Sequence, residues 1–252
     1  MNKQINKRNT TNTGLFGLFE KLIRFIPHIY LVIRPIVKFT NYFEEDFYYL
    51  KKIFKNTRIN IIDIGASDGI SAIFFINNLN PKKIFCFEPS EAFFKKLKKL
   101  KLKYHFLKIY NSGLGKKNKN EIIYYPYINF FGKKIPLLAY SFPIKKDLIN
   151  QINLDFIIKP KILKTKIKIK KFKIPKEKIH LIKIDTNGSE FDIVNSIIKL
   201  IKRDKPVLII ENNNINKIYK ILKKFNYNKY FVKNNNLKKH SNQNNANIIF
   251  KK

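Results

Sequence analysis

The sequence predicts an α/β fold, in which a mostly parallel sheet of seven strands carries helices on both faces. From residue 59 onward, short apolar segments of strand type alternate with segments whose apolar residues recur at helical spacing. This alternation indicates parallel strands, because a parallel connection needs a long crossover that is usually helical. With 252 residues, 44% of them hydrophobic, the chain is long enough for one such domain and a short extension.

The predicted elements follow one another regularly, with one interruption. Strands are expected at 59–63, 83–88, 104–110, 179–185, 207–211, 229–232 and 246–250. Helices are expected at 70–79, 91–101, 189–201 and 215–225. The segment 121–172 breaks the rhythm with two further strand patterns, at 121–130 and 164–172, separated by a proline-containing stretch. Because insertions of this kind commonly form a wall or a lid of an active site, we expect 121–172 to be a wall that binds the substrate.

The first 50 residues are expected to be a disordered tail and a helical extension, and residues 51–252 the main domain. Residues 14–39 are apolar and basic, but no apolar run reaches the length of a membrane-spanning helix or a signal-peptide core. They predict two short amphipathic helices, broken near Pro27 and Pro35, that either pack on the domain or lie on an anionic membrane. A further helix is expected within 41–54. The predicted location is therefore the cytoplasm, with the inner membrane face as an alternative.

The formal net charge of +35 invites a nucleic-acid interpretation, since clustered basic residues neutralise phosphates. However, 47 of the 52 basic residues are lysine, spread along the whole chain beside abundant Asn and Ile. Recognition of bases and phosphates usually recruits arginine for its planar fork. The charge therefore fits a compositional bias toward A/T-rich codons better than a nucleic-acid partner.

Cysteine and histidine exclude two kinds of site. The single cysteine, Cys86, cannot form an internal disulfide and fits a reducing compartment. The four histidines are scattered without the spacing of metal ligands, so no metal site is predicted.

A glycine loop follows the first predicted strand, in the segment "NIIDIGASDGIS". Asp63 ends the strand, and Gly65 and Gly69 bracket a tight turn into a helix, with Ala66 and Ser67 between them. Such a loop lets backbone approach a ligand closely and directs the first amides of the helix toward it. The Asp-x-Gly-x-x-x-Gly spacing differs from the dinucleotide fingerprint and from the P-loop, both of which bind phosphates.

An acidic residue follows this loop at a diagnostic distance. Glu88 ends the next predicted strand, 19 residues after Gly69, and Pro89 and Ser90 then stop that strand. A carboxylate about 20 residues after a glycine loop binds the hydroxyls of a ribose. The two motifs together predict an adenosine-containing cofactor without a ribose phosphate.

Charged residues also end a later strand, in "LIKIDTNGSEFDIV". Lys183 and Asp185 are two residues apart, so they lie on one face of the strand. Since burying unpartnered charges costs several kcal/mol, partners are expected at this strand end. The carboxyl ends of parallel strands lie at one edge of a sheet, so Asp63, Glu88 and Glu211 should lie nearby.

Five blocks occur in order: "IIDIGASDGIS", "IFCFEPSEAFFKKL", "YNSGLGKKNK", "LIKIDTNGSEFDIV" and "VLIIENN". From about residue 58 to the C-terminus, the chain resembles the FkbM-type S-adenosylmethionine-dependent methyltransferases. The resemblance implies a class I Rossmann-like methyltransferase fold, S-adenosyl-L-methionine as the cofactor, and methylation of a hydroxyl group on a sugar, glycan or natural product.

The resemblance also implies roles for individual residues. Lys183, Asp185, Gly188 and Glu190 match a Lys-x-Asp-x-x-Gly-x-Glu block, although Asn187 stands where the family often has glutamate. The residues expected at the cofactor are Asp63, Gly65, Ala66, Ser67, Gly69, Glu88, Pro89, Asn111 and Ser112, with the last two on the adenine side. The residues expected at the reacting groups are Asp185, Lys183 and Glu211.

The predicted chemistry leaves alternatives open. Asp185 is expected to orient and deprotonate the acceptor hydroxyl, with Glu211 as the reserve base and Lys183 as partner of a carboxylate. Lys183 and Asp185 could instead form a structural ion pair, and two close carboxylates could hold a divalent cation. An RNA methyltransferase would suit the charge, but "DTNGSE" replaces the Asn/Asp-Pro-Pro-aromatic turn of amino-methylating enzymes. A non-catalytic, membrane-associated scaffold with this fold is the other alternative.

Overall fold

The computed structural model describes residues 22, 26–40, 43–137, 141–241 and 245–252. Within them, the strands are β1 (Arg58–Ile64), β2 (Asn80–Phe87), β3 (Leu107–Tyr110), β4 (Gly113–Gly115), β5 (Lys119–Phe130), β6 (Lys133–Pro136), β7 (Lys161–Lys171), β8 (Leu181–Ile184), β9 (Val207–Glu211), β10 (Asn228–Lys233), β11 (Asn236–Lys239) and β12 (Asn247–Lys251). The helices are a 3-10 turn (Pro27–Ile29), α1 (Tyr30–Thr40), α2 (Glu45–Ile53), α3 (Ile70–Asn78), α4 (Glu91–Lys103), α5 (Lys145–Asp155), α6 (Glu190–Ser196), α7 (Ile198–Asp204) and α8 (Ile215–Lys223).

The main sheet has the strand order β11-β10-β12-β9-β8-β1-β2-β3. β1 pairs in parallel with β2 on one side and with β8 on the other, and β12 is inserted antiparallel between β9 and β10. The order reverses between β1 and β8, which is where open α/β sheets bind their ligands. The predicted class I methyltransferase fold is confirmed. The sheet has eight strands rather than seven, because β11 forms a hairpin with β10 at the edge.

Both faces of this sheet are buried, which explains the nearly continuous apolar sequence of β1. Ile59 and Ile61 point into a core that they share with α2, α3 and α4. Ile62 and Ile64 point to the other face and pack against α6, α7 and α8. The two-residue periodicity of the strand thus divides its isoleucines between two cores.

The predicted helix at 189–201 is two helices, α6 and α7. Ile197 separates them, with φ of −104° and ψ of 11°. Its N–H still donates to the carbonyl of Ile193, and the Ile201 N–H donates to the Ile197 carbonyl. Because these bonds continue, α7 follows α6 end to end.

The insertion forms a second sheet, with the order β4-β7-β5-β6. The two strands predicted from the sequence are confirmed as β5 and β7, which pair antiparallel from Lys119 with Ile169 to Tyr127 with Lys161. β6 and α5 were not predicted. α5 buries Leu148 and Ile152 in a third apolar cluster, which is separate from the two cores of the main sheet.

The helix expected to break near Pro35 does not break there, and α1 runs through this residue. A proline inside a helix removes one backbone hydrogen bond. Packing offsets this loss, because Tyr30 lies in the third cluster and Ile33 is also buried. The break predicted near Pro27 is present as the 3-10 turn.

The rest of the N-terminal extension is described in part. The helix predicted within 41–54 is confirmed as α2, which spans the expected boundary at residue 50 and buries Phe47 and Leu50 in the main core. The tail at 1–13 and the first amphipathic helix, apart from Leu22 and Ile26, lie outside the described residues. Among the helices described here, each is too short or too polar to cross a lipid bilayer.

Gly65 offers a test of how tightly β1 meets β8. Its φ is +77°, and a Cβ atom at this position would lie 1.9 Å from the carbonyl oxygen of Asp185. Gly188 has a φ of +114° but open space around it. We therefore expect Gly65→Ala to lower the free energy of unfolding by at least about 3 kcal/mol, and Gly188→Ala by about 1 kcal/mol, the cost of the backbone conformation alone. Urea unfolding measures both, and equal losses would contradict the close approach.

Candidate active site

A buried lysine connects the ends of β1 and β8. Lys183 lies beside Asp63 in the register of these strands, and its Nζ is 3.5 Å from Asp63 Oδ1 and 3.4 Å from Asp185 Oδ2. Nζ also donates to the carbonyl oxygen of Gly65 at 2.8 Å. Burial would lower the pKa of Lys183, but the charges of Asp185 and Asp63 outweigh it and raise the pKa. Lys183 is therefore the protonated partner that the sequence predicted for these carboxylates.

Asp63 lies beneath the glycine loop rather than at its surface. Its side chain is fully buried, and Ser71 Oγ donates to Asp63 Oδ2 at 2.5 Å. Through Ser71, the carboxylate holds the first turn of α3, and through Lys183 it holds β8. The contacts of Asp63 position the loop from below.

Asp185 has a different environment at the end of β8. Its backbone N–H continues the sheet by donating to the Ile64 carbonyl, whereas its side chain is 44% exposed. The carboxylate thus combines an ion pair with a buried ammonium and an open side that a second molecule can approach.

The loop after Asp185 is fixed by two glutamates. Glu190 accepts hydrogen bonds from the backbone N–H groups of Thr186 and Gly188 and from the Thr186 hydroxyl. Glu211 Oε2 accepts the Asn187 N–H at 3.3 Å. Both of these side chains bind backbone groups, whereas the Asp185 carboxylate pairs with Lys183 and is partly exposed. In the described part of the chain, no group of three or more His, Cys, Asp or Glu side chains is arranged to hold a metal ion.

Glu88 is the carboxylate of the neighbouring strand end. Its oxygens accept the Ser67 N–H at 2.9 Å and the Ser90 N–H at 2.8 Å, and the residue is buried. Burial raises the pKa of Glu88 to about 7, because desolvation outweighs these two hydrogen bonds. Each carboxylate oxygen has two lone pairs, so the group can receive further donors.

The glycine loop is held against β2. The N–H groups of Gly65 and Ala66 both donate to the Phe87 carbonyl, and Gly65, Ser67 and Gly69 all have positive φ. The hydroxyl oxygen of Ser67 is buried, and it has no hydrogen-bond partner among the described residues. This edge of the sheet therefore presents a polar atom without a partner beside the Glu88 carboxylate.

The end of β3 completes the set expected at the cofactor. The Asn111 side-chain amide donates to the carbonyls of Glu88 and Pro89, at 3.2 and 3.5 Å. Ser112 is buried next to it. The predicted cofactor residues thus lie together at the carboxyl ends of β1, β2 and β3.

One contact at the site was not predicted from the sequence. Arg34 of α1 forms a two-pronged ion pair with Asp68 of the glycine loop, with Nη2 to Oδ1 at 2.7 Å and Nε to Oδ2 at 3.2 Å. Asp68 is nearly fully buried, and the paired geometry is the strongest that arginine offers. An arginine in a chain that otherwise uses lysine was the signal that could have found it.

A family model described as a methyltransferase FkbM domain matches residues 63–230. The chain belongs to the FkbM methyltransferase family. The expected cofactor, S-adenosylmethionine, follows from this membership. A comparison with curated proteins finds no significant match.

Several solved structures are similar at low identity. A methyltransferase FkbM from Methylobacillus flagellatus KT has 15% identity and a TM-score of 0.49, and the match covers 77% of this chain and 44% of that chain. The B. subtilis M1A22 tRNA methyltransferase TrmK has 10% identity and a TM-score of 0.44, with 83% and 66% covered. TrmK of M. capricolum in complex with S-adenosyl-homocysteine has 12% identity and a TM-score of 0.39, with 83% and 67% covered. This chain thus spans less than half of the Methylobacillus protein.

The residues of this FkbM protein fit S-adenosylmethionine. Glu88 can accept the ribose hydroxyls, because its oxygens are fixed by backbone donors and retain lone pairs. The buried Ser67 hydroxyl offers a second polar contact. Gly65 and Gly69 allow the positive φ values that bring backbone amides to this edge.

The Arg34–Asp68 ion pair predicts strong coupling between α1 and the glycine loop. Removing either partner leaves the other charge with little compensation, so Arg34→Met and Asp68→Asn should each lower the free energy of unfolding by about 2 kcal/mol. The double variant should lose scarcely more than either single variant, which corresponds to a coupling of roughly 1–3 kcal/mol. Urea unfolding of the unmodified protein, the two single variants and the double variant measures this coupling as a double-mutant cycle. Additive losses would show that the two residues act independently.

The raised pKa of Glu88 predicts that cofactor binding depends on pH. Ribose hydroxyls donate to the ionised carboxylate, so binding favours the form without the proton. Below a pKa of about 7, the proton must first be removed. We therefore expect the affinity for S-adenosylmethionine to rise about tenfold from roughly pH 6 to pH 8 and then to level off.

Isothermal titration calorimetry in buffers of different ionisation enthalpy measures both the affinity and the released proton. Glu88→Gln is the matched control, since it keeps the shape and cannot titrate. It should bind more weakly by about 1.5–3 kcal/mol above pH 7, without pH dependence. An unchanged pH dependence in this variant would remove Glu88 from the cofactor site.

Proposed function

We propose that this FkbM family member transfers the methyl group of S-adenosylmethionine to a hydroxyl group of a sugar or glycan. The proposal rests on one observation above all. Asp185 is half-exposed at the switch point of the sheet, next to the glycine loop, and is paired with a buried lysine. A carboxylate in that place can accept the proton of a hydroxyl while it holds the hydroxyl in position.

The bound cofactor would supply a methyl group already activated by the positive charge on its sulfur. The protein's own residues then have two tasks, alignment of the acceptor and removal of one proton. Alignment is commonly the larger contribution, and a positioned general base adds roughly 10²–10⁴-fold. In this proposal Asp185 is the base, and Lys183 is a positioning residue whose ammonium group holds the Asp185 carboxylate at the end of β8.

The acceptor wall is proposed to consist of the second sheet and α1. Two contacts support this placement, because Tyr30 of α1 packs in the third cluster and Arg34, one turn further, binds Asp68. α1 therefore joins the insertion to the glycine loop. Between these elements, a hydroxyl-bearing molecule would reach Asp185 from the open side of its carboxylate.

An RNA acceptor is the second candidate, and one observation favours it. Lys164, Lys166, Lys168 and Lys170 alternate along β7 and are all exposed, so they form a basic row on one face of the second sheet. Radiolabelled methyl transfer into glycolipid, polysaccharide and RNA fractions of the source cell separates the candidates. Failure to bind S-adenosylmethionine would favour a non-catalytic scaffold, and binding that requires RNA would favour the RNA methyltransferase.

We further propose a cytoplasmic location. The support is Cys86, a buried free thiol in β2, which is the state of cysteine expected in a reducing compartment.

Asp185→Asn tests the chemistry. The substitution keeps the shape and removes the base, so turnover should fall by at least about 10²-fold while cofactor affinity changes little. Glu211→Gln is the control, since Glu211 contacts the Asn187 backbone and should affect turnover much less. Near-normal turnover of Asp185→Asn with an inactive Glu211→Gln would reverse the assignment. If a chelator inhibits the unmodified enzyme, a bound metal ion, rather than Asp185 acting as a base, activates the acceptor hydroxyl.

A further inference from the structure

The hairpin between β5 and β6 has an unusual residue at its tip. Phe131 and Gly132 form a two-residue connection between the paired Phe130 and Lys133, with φ of +44° at Phe131 and +72° at Gly132. Turns of this kind favour Asn, Asp or Gly at the first position, because a bulky side chain at positive φ is strained. Phe131 is nevertheless there, and it is 90% exposed.

The backbone strain at Phe131 acts against folding, and its exposed aromatic ring contributes little burial to offset that strain. The ring of Phe131 stacks edge-on against Phe130, with 4.7 Å between the centroids, but Phe130 is itself exposed. The turn needs this backbone conformation but does not need a phenylalanine, so the residue at this position points to a function outside the fold. The two rings form an apolar projection that is available to another surface.

Two further apolar side chains lie at the same end of the second sheet. In the register of β5 and β7, Tyr127 lies opposite Lys161. The residues just before β7 are therefore close to the end of β5. Ile157 and Ile158 occupy this position, and both are exposed. We refer to Phe130, Phe131, Ile157 and Ile158 as the apolar tip.

Lysines outnumber carboxylates around the apolar tip. Lys133 and Lys134 follow the hairpin turn, and Lys159 and Lys161 follow the two isoleucines. Between residues 122 and 176, the sequence has thirteen lysines and two acidic residues, Asp147 and Asp155. Exposed aromatic and aliphatic side chains surrounded by lysine are typical of surfaces that bind anionic lipid bilayers.

We propose that the apolar tip inserts into the interface of an anionic lipid bilayer, with the surrounding lysines bound to phosphate headgroups. This inference does not depend on the proposed methyl transfer, and it places the membrane contact in the insertion, separate from residues 14–39. A second copy of the chain fits this surface poorly, because its own lysines would face like charges. RNA would be held by the lysines, and its bases can stack on the two phenylalanines, but it offers no matching contact for Ile157 and Ile158, whereas a bilayer accommodates all four side chains.

The contact has a direct structural connection to the site. The third cluster contains Ile128, two residues before the tip, together with Tyr30 of α1. Four residues along the same helix, Arg34 holds Asp68. A protein docked through the tip would therefore keep α1 and the glycine loop in a fixed relation to the lipid surface.

Tryptophan fluorescence tests the insertion, since the sequence has no tryptophan. Phe131→Trp places one reporter at the tip, and Leu102→Trp places one on α4, where Leu102 is 80% exposed. Vesicles of phosphatidylcholine with about one-third phosphatidylglycerol should shift the emission of the first protein to shorter wavelength, and brominated lipid should quench it. The emission of the second protein should not change. Equal behaviour of the two reporters would overturn the proposal.

Phe131→Asn separates membrane binding from folding. Asn tolerates positive φ, so the variant should be at least as stable as the unmodified protein. Its partition into the same vesicles, measured by sedimentation, should fall about tenfold, the effect of losing one inserted aromatic ring. Leu102→Gln should bind normally. If Phe131→Asn binds vesicles as well as the unmodified protein does, and high salt abolishes this binding, then the attraction between lysines and anionic lipid accounts for it without insertion. That result would overturn the proposal. If the emission of Phe131→Trp shifts to shorter wavelength as the protein concentration is raised in the absence of vesicles, the tip binds a second copy of the chain and the proposal is overturned.

Discussion

The structure of the site depends on the buried ammonium group of Lys183. It lies between carboxylates from two strands and donates to a carbonyl of the glycine loop, so one side chain connects β1, β8 and the loop. An ammonium at this depth is tolerated only with close anionic and carbonyl partners. In turn, Gly65 must lack a side chain, because the Asp185 carbonyl occupies the space where a Cβ would lie. The Asp185 carboxylate can then pair with this ammonium group and still be open to solvent.

The sequence was sufficient to predict the elements whose determinants are local. The apolar residues between Ile59 and Ile62 predict a buried strand, and Gly65 and Gly69 predict the turn that follows it. Glu88 is recognised by its distance of 19 residues from Gly69. These features define the main sheet and most residues of the site. Their spacing along the chain is set by the length of one strand and one helix, which is why it could be recognised without a structure.

Features that depend on distant contacts were not predictable in the same way. α1 continues through Pro35 because Tyr30 finds a place in the cluster of the insertion. α5 has a weak amphipathic pattern, and its helical state depends on Leu148 and Ile152 meeting β5. Asp63 was expected at the cofactor, but its side chain lies below the glycine loop. How deep a side chain lies cannot be predicted from residue spacing along the chain. The partners of Arg34 and Asp68 are also far apart in the chain.

The buried lysine also limits how this sequence can change over time. Most lysines among the described residues are exposed, where a replacement disturbs few neighbours. Positions 63 and 183 have less freedom, since a neutral residue at 183 would leave Asp63 buried without its cation, and one at 63 would leave the buried ammonium with Asp185 as its remaining carboxylate. A change of this pair by single replacements therefore passes through a destabilised intermediate. The two positions are therefore expected to change together or to remain as they are, whatever mutational bias acts on the rest of the gene.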